Sequence, residues 1–300
     1  IGDHYLLGPE VFPSTHRAME VRHAMRLDDK MRLVVKVRDK QESFACPQEH
    51  KDWRISTEFM MNMPKSQSIV EFIEVLEDSK NYYVFMEKAS GMDLFEVLDI
   101  HGRLPIADCK EIIYQLVWAV SELHERGCIH KDLKLENIMV DRSPSSKRVH
   151  TASFFNSLDS TTATIPDAEP ASPPIVKLID FDTVEPQVGS PKHHHHANLS
   201  VVGTNQYIAQ EAYAGEYSPA SDIFAVGVIA YRLLTGAFPF HPGIFDDEAG
   251  ENWVGSPKMA EIRDRVQHFE INFKRVPFPS TPEACDLVQR MLAVEQGDRP

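Results

Sequence analysis

Within Ile129-His130-Lys131-Asp132-Leu133-Lys134-Leu135-Glu136-Asn137-Ile138-Met139-Val140, a carboxylate, an ammonium and a carboxamide (Asp132, Lys134, Asn137) fall within six positions. Some forty residues on, Lys177-Leu178-Ile179-Asp180-Phe181-Asp182 reads as a strand that ends in carboxylates. Asp132, Asn137 and Asp180 together supply hard oxygen ligands and a possible base. That set suits magnesium-assisted phosphoryl transfer, in which positioning and charge neutralisation do most of the chemistry.

Such groups must be held by regular elements. Before Met86 the signals are short: an apolar stretch at Tyr5 to Val11, then Leu33 to Val37, Ile69 to Leu76, and Tyr82 to Met86, which read as strands of a small sheet. One helical interval, Asp52 to Met63, interrupts them and must stop before Pro64. Beyond Gly91 the pattern turns helical. Ile112, Leu116, Val120 and Leu123 recur on one helical face, and the helix should end near Gly127. Ser218-Pro219 supplies an N-cap and a first-turn proline for an all-round apolar helix, Asp222 to Leu234, closed by Thr235-Gly236. A further helix is expected over Pro282 to Ala293.

Residues 141–174 contain 7 Ser, 4 Thr and 5 Pro, too little apolar surface to offset ordering entropy, and read as a disordered insert. His193 to His196 lie in a second polar stretch, either a metal- or pH-sensing site or a solvated loop. The chain has 31 basic and 45 acidic residues, a formal charge of −14, which disfavours nucleic acid and favours cationic partners. Cys46, Cys109, Cys128 and Cys285 form no CxxC pair, which points to a reducing, intracellular and cytoplasmic setting. No apolar run approaches the ~18 residues of a membrane span.

The ordered pieces resemble a eukaryotic protein kinase over nearly the whole chain, most like the calmodulin/calcium-dependent Ser/Thr group. Val35-Lys36-Val37 is similar to the lysine strand and Glu58 to its helical partner, with Glu49 or Asp52 as alternatives in a shifted helix. His130-Lys131-Asp132 with Asn137 resembles the catalytic loop, and Asp180-Phe181-Asp182 the metal-binding triplet. Gly203 to Glu211 is similar to the end of the activation segment, Ser221-Asp222-Ile223-Phe224 to the start of the buried central helix, and Arg299 to the arginine that pairs with Glu211. Ala89 to Phe95 and Leu234 to Phe240 carry the subgroup likeness.

The resemblance implies an α+β, bilobal protein-kinase fold, with a small antiparallel-sheet lobe (1–88) and a larger helical lobe (89–300) that continues past residue 300. ATP and Mg²⁺ would bind between them. It implies transfer of the ATP γ-phosphoryl group to protein Ser or Thr near basic residues, with a pseudokinase scaffold as the alternative. Lys36 would hold ATP phosphates, anchored by Glu58, and Asp132 would accept the substrate proton. Lys134 would steady the transferred group, while Asn137 and Asp180 would bind magnesium. Met86 would back the adenine pocket, with Glu87 to Ala89 as hinge. Thr204 would favour Ser or Thr as acceptor; Asp93 and Glu136 would meet a basic substrate residue; Ser200 occupies the usual regulatory site. Any regulatory domain would lie outside the chain.

Three departures matter. The expected phosphate loop, Phe12 to Ala18, has no glycine and contains Pro13, which lacks an amide donor; an alternative alignment starts the loop at Gly8. Lys131 replaces an arginine and lacks its planar fork. Asp182 replaces a glycine, adding a carboxylate that either assists magnesium or faces solvent.

Overall fold

The computed structural model describes residues 1–12, 18–142, 173–187 and 200–300. Its amino-terminal part is a five-stranded antiparallel sheet: β1 (Tyr5–Phe12), β2 (Met19–Arg26), β3 (Arg32–Asp39), β4 (Phe72–Glu77) and β5 (Asn81–Glu87), in the order β1-β2-β3-β5-β4. Alternation along β3 buries Leu33 and Val35 beneath the sheet against Tyr5 and Phe85, whose rings stack at 3.8 Å. Lys36 points the other way, opposite Val84 of β5, toward the rest of the molecule.

Between β3 and β4 runs α1 (Pro47–Met61), longer at its start than the expected Asp52 to Met63. Pro47 is preset for the first helical turn, and the Glu49 carboxylate accepts the Ala45 amide just ahead of it. Its buried residues are Trp53, Ser56 and Met60, so the apolar spacing sets that face inward and leaves Glu58 exposed.

The remainder is mostly helical. β6 (Met92–Asp93) leads into α2 (Leu94–His101), whose first turn Asp93 caps by accepting the Glu96 amide at 2.8 Å. Then come α3 (Ile106–Glu125), β7 (Cys128–Ile129), β8 (Ile138–Asp141), β9 (Ile175–Leu178) and β10 (Glu185–Pro186). The last three helices are α4 (Pro219–Thr235), α5 (Pro257–His268) and α6 (Pro282–Met291). α3 buries Ile112, Leu116, Val120 and Leu123, as their spacing requires. α4 is buried nearly all round and begins at Ser218 and Pro219; a Cβ added at its Gly227 would come within 2.8 Å of Met291 Cβ, so glycine lets α6 approach.

The insert lies between β8 and β9, which pair antiparallel with Asp141 opposite Ile175, so the ladder closes where the insert leaves and returns. Most of residues 141–174, and His193 to His196, lie outside the described residues. β1 runs to Phe12 and β2 begins at Met19, so Gly8 sits within β1 and not in the segment that joins the two strands, which disfavours the loop alignment that starts at Gly8; positions 13–17 lie outside the described residues. β2, α2 and α5 were not anticipated. Among the described residues, no helix is long and apolar enough to cross a membrane.

Candidate active site

The catalytic-loop segment leaves β7 and is fixed by Asp222, at the start of the buried helix α4. One Asp222 oxygen accepts the Lys131 amide (2.9 Å); the other accepts the His130 amide (2.8 Å) and meets His124 Nε2 (2.9 Å). Asp222 is 1% exposed, so these bonds form away from water, where an unpaired amide is costly. Burial pushes the His130 imidazole below its ordinary pKa, which keeps it neutral. Its carbonyl accepts the Thr183 hydroxyl (2.9 Å), and its ring lies 5.2 Å from that of buried Phe181, tying the loop to the segment after β9 that carries Asp180. Lys131 and Asp180 both adopt left-handed φ, at 69° and 64°, a conformation that costs free energy in non-glycine residues and persists only where surroundings enforce it.

With the loop so held, the expected groups converge. Asp132 accepts the Thr204 hydroxyl at 2.9 Å and lies 3.0 Å from Lys134 Nζ, which also reaches Thr204 at 3.4 Å. Gly203, with φ at 117°, lets the chain turn there; a Cβ would come within 2.9 Å of the Lys131 carbonyl. Asn137, buried, donates from Nδ2 to the Asp132 carbonyl (2.9 Å), which leaves Oδ1 as the amide atom able to ligate a cation. Among the described residues no group of three or more His, Cys, Asp and Glu is placed to hold a metal. One aspartate and one carboxamide do fit Mg²⁺, which takes few protein ligands and completes its shell with water and phosphate oxygens.

Lys36 Nζ lies 2.5 Å from Asp180 Oδ1 and 2.7 Å from Asp182 Oδ2. Burial opposes its charge, but the two carboxylates outweigh that and hold the ammonium above its ordinary pKa. The expected pairing with Glu58 is therefore corrected: Glu58 lies on the exposed face of α1, and Lys36 is paired instead from the segment that follows β9. Neither alternative replaces it, since Glu49 and Asp52 are also exposed, Glu49 bonding the Ala45 amide and Asp52 the Gln48 side chain. Ser56 takes the inward position, donating to the Val184 carbonyl at 2.7 Å and the Asp52 carbonyl at 2.9 Å. The Trp53-Ser56-Met60 spacing was the available signal for that face.

Met86 is buried at the end of β5, and Glu87, beside it, pairs with Lys177; its amide donates to the Glu71 carbonyl at 3.0 Å. Ala89 is half-buried. Asp93 is half-buried as the α2 cap and Glu136 is exposed. Ser200 is exposed and bridges Trp253, while Lys131 Nζ is engaged by Glu185 (3.0 Å) and lies 5.0 Å from the Tyr217 ring. The Glu211 partner is as expected: Arg299 holds it at 2.6 and 3.0 Å, both buried.

Comparison with known proteins gives a consistent picture. The protein kinase domain family matches residues 18–300. The CaM kinase-like vesicle-associated protein of Xenopus laevis is 29% identical over 242 residues, covering 80% of this chain and 54% of that protein. CDPK-related kinase 1 of Arabidopsis thaliana is 30% identical over 231 residues, covering 75% and 32%. CDPK-related kinase 4 of Arabidopsis thaliana is 30% identical over 250 residues, covering 83% and 34%. The chain thus spans from 32% to 54% of the length of these relatives.

Proposed function

From the fact that the chain belongs to the protein kinase family, we propose that it transfers the γ-phosphoryl group of ATP to serine or threonine hydroxyls of proteins. The observation that carries this reading is the convergence of Asp132, Lys134 and Thr204 within 3.4 Å of one another, with Asn137 bonded to the Asp132 carbonyl. Asp132 orients the acceptor hydroxyl and takes its proton as the oxygen forms its bond to the γ-phosphorus; the bond from that phosphorus to the bridging oxygen breaks, and ADP leaves. Lys134 offsets charge on the group in flight, and Lys36 holds the phosphates that remain on ADP. Mg²⁺ held by Asn137 and Asp180 would supply further neutralisation of phosphate charge. Thr204, bonded to Asp132, shapes the acceptor position for a small aliphatic hydroxyl.

Lobes of residues 1–88 and 89–300 would enclose the nucleotide, with Met86 behind the adenine and Glu87 to Ala89 along its edge. Asp93 and Glu136, with the net charge of −14, favour substrates with a basic residue near the acceptor. A phosphate on exposed Ser200 would have to compete with Glu185 for Lys131. An intracellular setting and a regulatory domain outside the chain belong to the same reading.

The absence of glycine from the sequence Phe12 to Ala18 favours a second reading, a nucleotide-poor scaffold that keeps the fold. Purified protein with Mg·ATP and a basic Ser/Thr peptide should incorporate phosphate at a rate at least about a hundredfold above the Asp132→Asn variant, the range expected of a positioned base. Equal rates would overturn the kinase reading, and absence of any nucleotide-induced thermal shift would then favour the scaffold.

A further inference from the structure

An ammonium that must bind phosphate needs an anchor that stays in place when phosphate and metal arrive. Asp180 is poorly suited to be the sole anchor of Lys36, because in the proposed reaction its carboxylate is a metal ligand. The helix between β3 and β4 offers no replacement: the inward residues of α1 are Trp53, Ser56 and Met60, and its acidic residues Glu49, Asp52 and Glu58 are exposed. Ser56 spends its hydroxyl on the Val184 and Asp52 carbonyls.

Asp182 has the properties the anchor requires. Its Oδ2 lies 2.7 Å from Lys36 Nζ, and its side chain, 11% exposed against 28% for Asp180, is the more enclosed of the two. Enclosure strengthens the ion pair and keeps water from competing. The backbone admits the side chain: positive φ occurs at Lys131 and Asp180 in this region, not at Asp182, so no glycine is needed there. Two residues further along, the Val184 carbonyl receives Ser56, so the segment carrying Asp182 is itself bonded to the buried face of α1.

We propose that Asp182 is the positioning residue for Lys36, supplying from the segment between β9 and β10 the carboxylate that α1 does not, and so setting the lysine for phosphate whatever the placement of that helix's acidic residues. The proposal rests on the kinase reading for what Lys36 then does, but the ion pair itself can be tested without nucleotide.

The experiment compares wild type with Asp182→Asn, which keeps shape and removes charge, and Asp182→Glu, which keeps charge. In nucleotide-free protein, acetylation of Lys36 by an N-hydroxysuccinimide ester is followed by peptide mass spectrometry; the amide variant should react about tenfold faster and the glutamate variant close to wild type, the scale expected for loss of one charge-assisted bond. With ATP at fixed free Mg²⁺, KM for ATP should rise about tenfold in Asp182→Asn with a smaller change in kcat, and Asp182→Glu should recover most of it. Asp182→Ala carries the same readouts if the amide variant does not accumulate folded. Unchanged Lys36 reactivity in the charge-removing variants would overturn the proposal. So would a KM defect abolished by raising free Mg²⁺, which would make Asp182 a metal ligand. If wild type neither binds nor turns over ATP while Lys36 reactivity still responds to Asp182, the kinase reading fails and the anchor stands.

Discussion

At Lys36 a charge survives almost complete burial because two carboxylates lie within hydrogen-bond reach, at 2.5 and 2.7 Å. The free energy of that arrangement depends on which acids face inward, and α1 decides it by simple rotation. Successive residues turn by about 100°, so Ser56 and Glu58, two apart, lie about 200° from each other around the axis. With Ser56 buried, Glu58 must face solvent. Glu58→Gln should therefore leave kcat and KM for ATP within about twofold of wild type, the usual scale for an exposed substitution without a partner. A loss of tenfold or more in steady-state kinetics would show that Glu58 reaches the site after all.

At the scale of elements, the catalytic loop depends on the start of α4. Asp222 uses both oxygens, one for the Lys131 amide and one for the His130 amide and His124. An asparagine there has one acceptor, so in either orientation a buried backbone amide would face an NH₂ group. Asp222→Asn should cost about 1–3 kcal/mol in urea unfolding, the penalty of one unsatisfied buried donor. It should also lower kcat about tenfold, because Asp132 lies within two residues of either displaced amide. Loss of stability with unchanged kcat would refute the coupling. Much of this layer was legible from sequence, since the α3 and α4 patterns and the Ser218-Pro219 start are dense, local signals. Elements with weaker signals were not: β2 alternates charged residues with only Met19 and Ala24 buried, and α5 mixes Arg, Asp and Glu around three buried residues. The catalytic cluster followed from ordered motifs, whereas the Lys36 partner did not, because helix rotation about its axis is set by tertiary packing of Trp53 and Met60. The role of Asp182 was invisible for the same reason, as it depends on where β3 lays Lys36 in space.

For the whole molecule, most charges are at the surface, where pairs contribute little and salt screens them. Glu211 and Arg299 differ. Their side chains are 5% and 0% exposed, joined by two bonds, with Ser221 donating to Glu211 at 2.9 Å and the guanidinium 5.0 Å from the Phe224 ring. The pair connects the segment following Thr204 and the start of α4 to the stretch after α6, some ninety residues on in the chain. Arg299 also holds the Ala293, Val294 and Ala220 carbonyls, so its planar fork serves more than one partner. Arg299→Met would fill much of the volume but leave the Glu211 carboxylate buried without its cation, which should destabilise the protein by about 3–5 kcal/mol. Because the site is dry, that loss in urea denaturation should be nearly the same at low and high salt. A loss below about 1 kcal/mol, the scale of a surface pair, or one that disappears at high salt would mean that the pair is solvated and that the link between activation segment and helical core is made elsewhere.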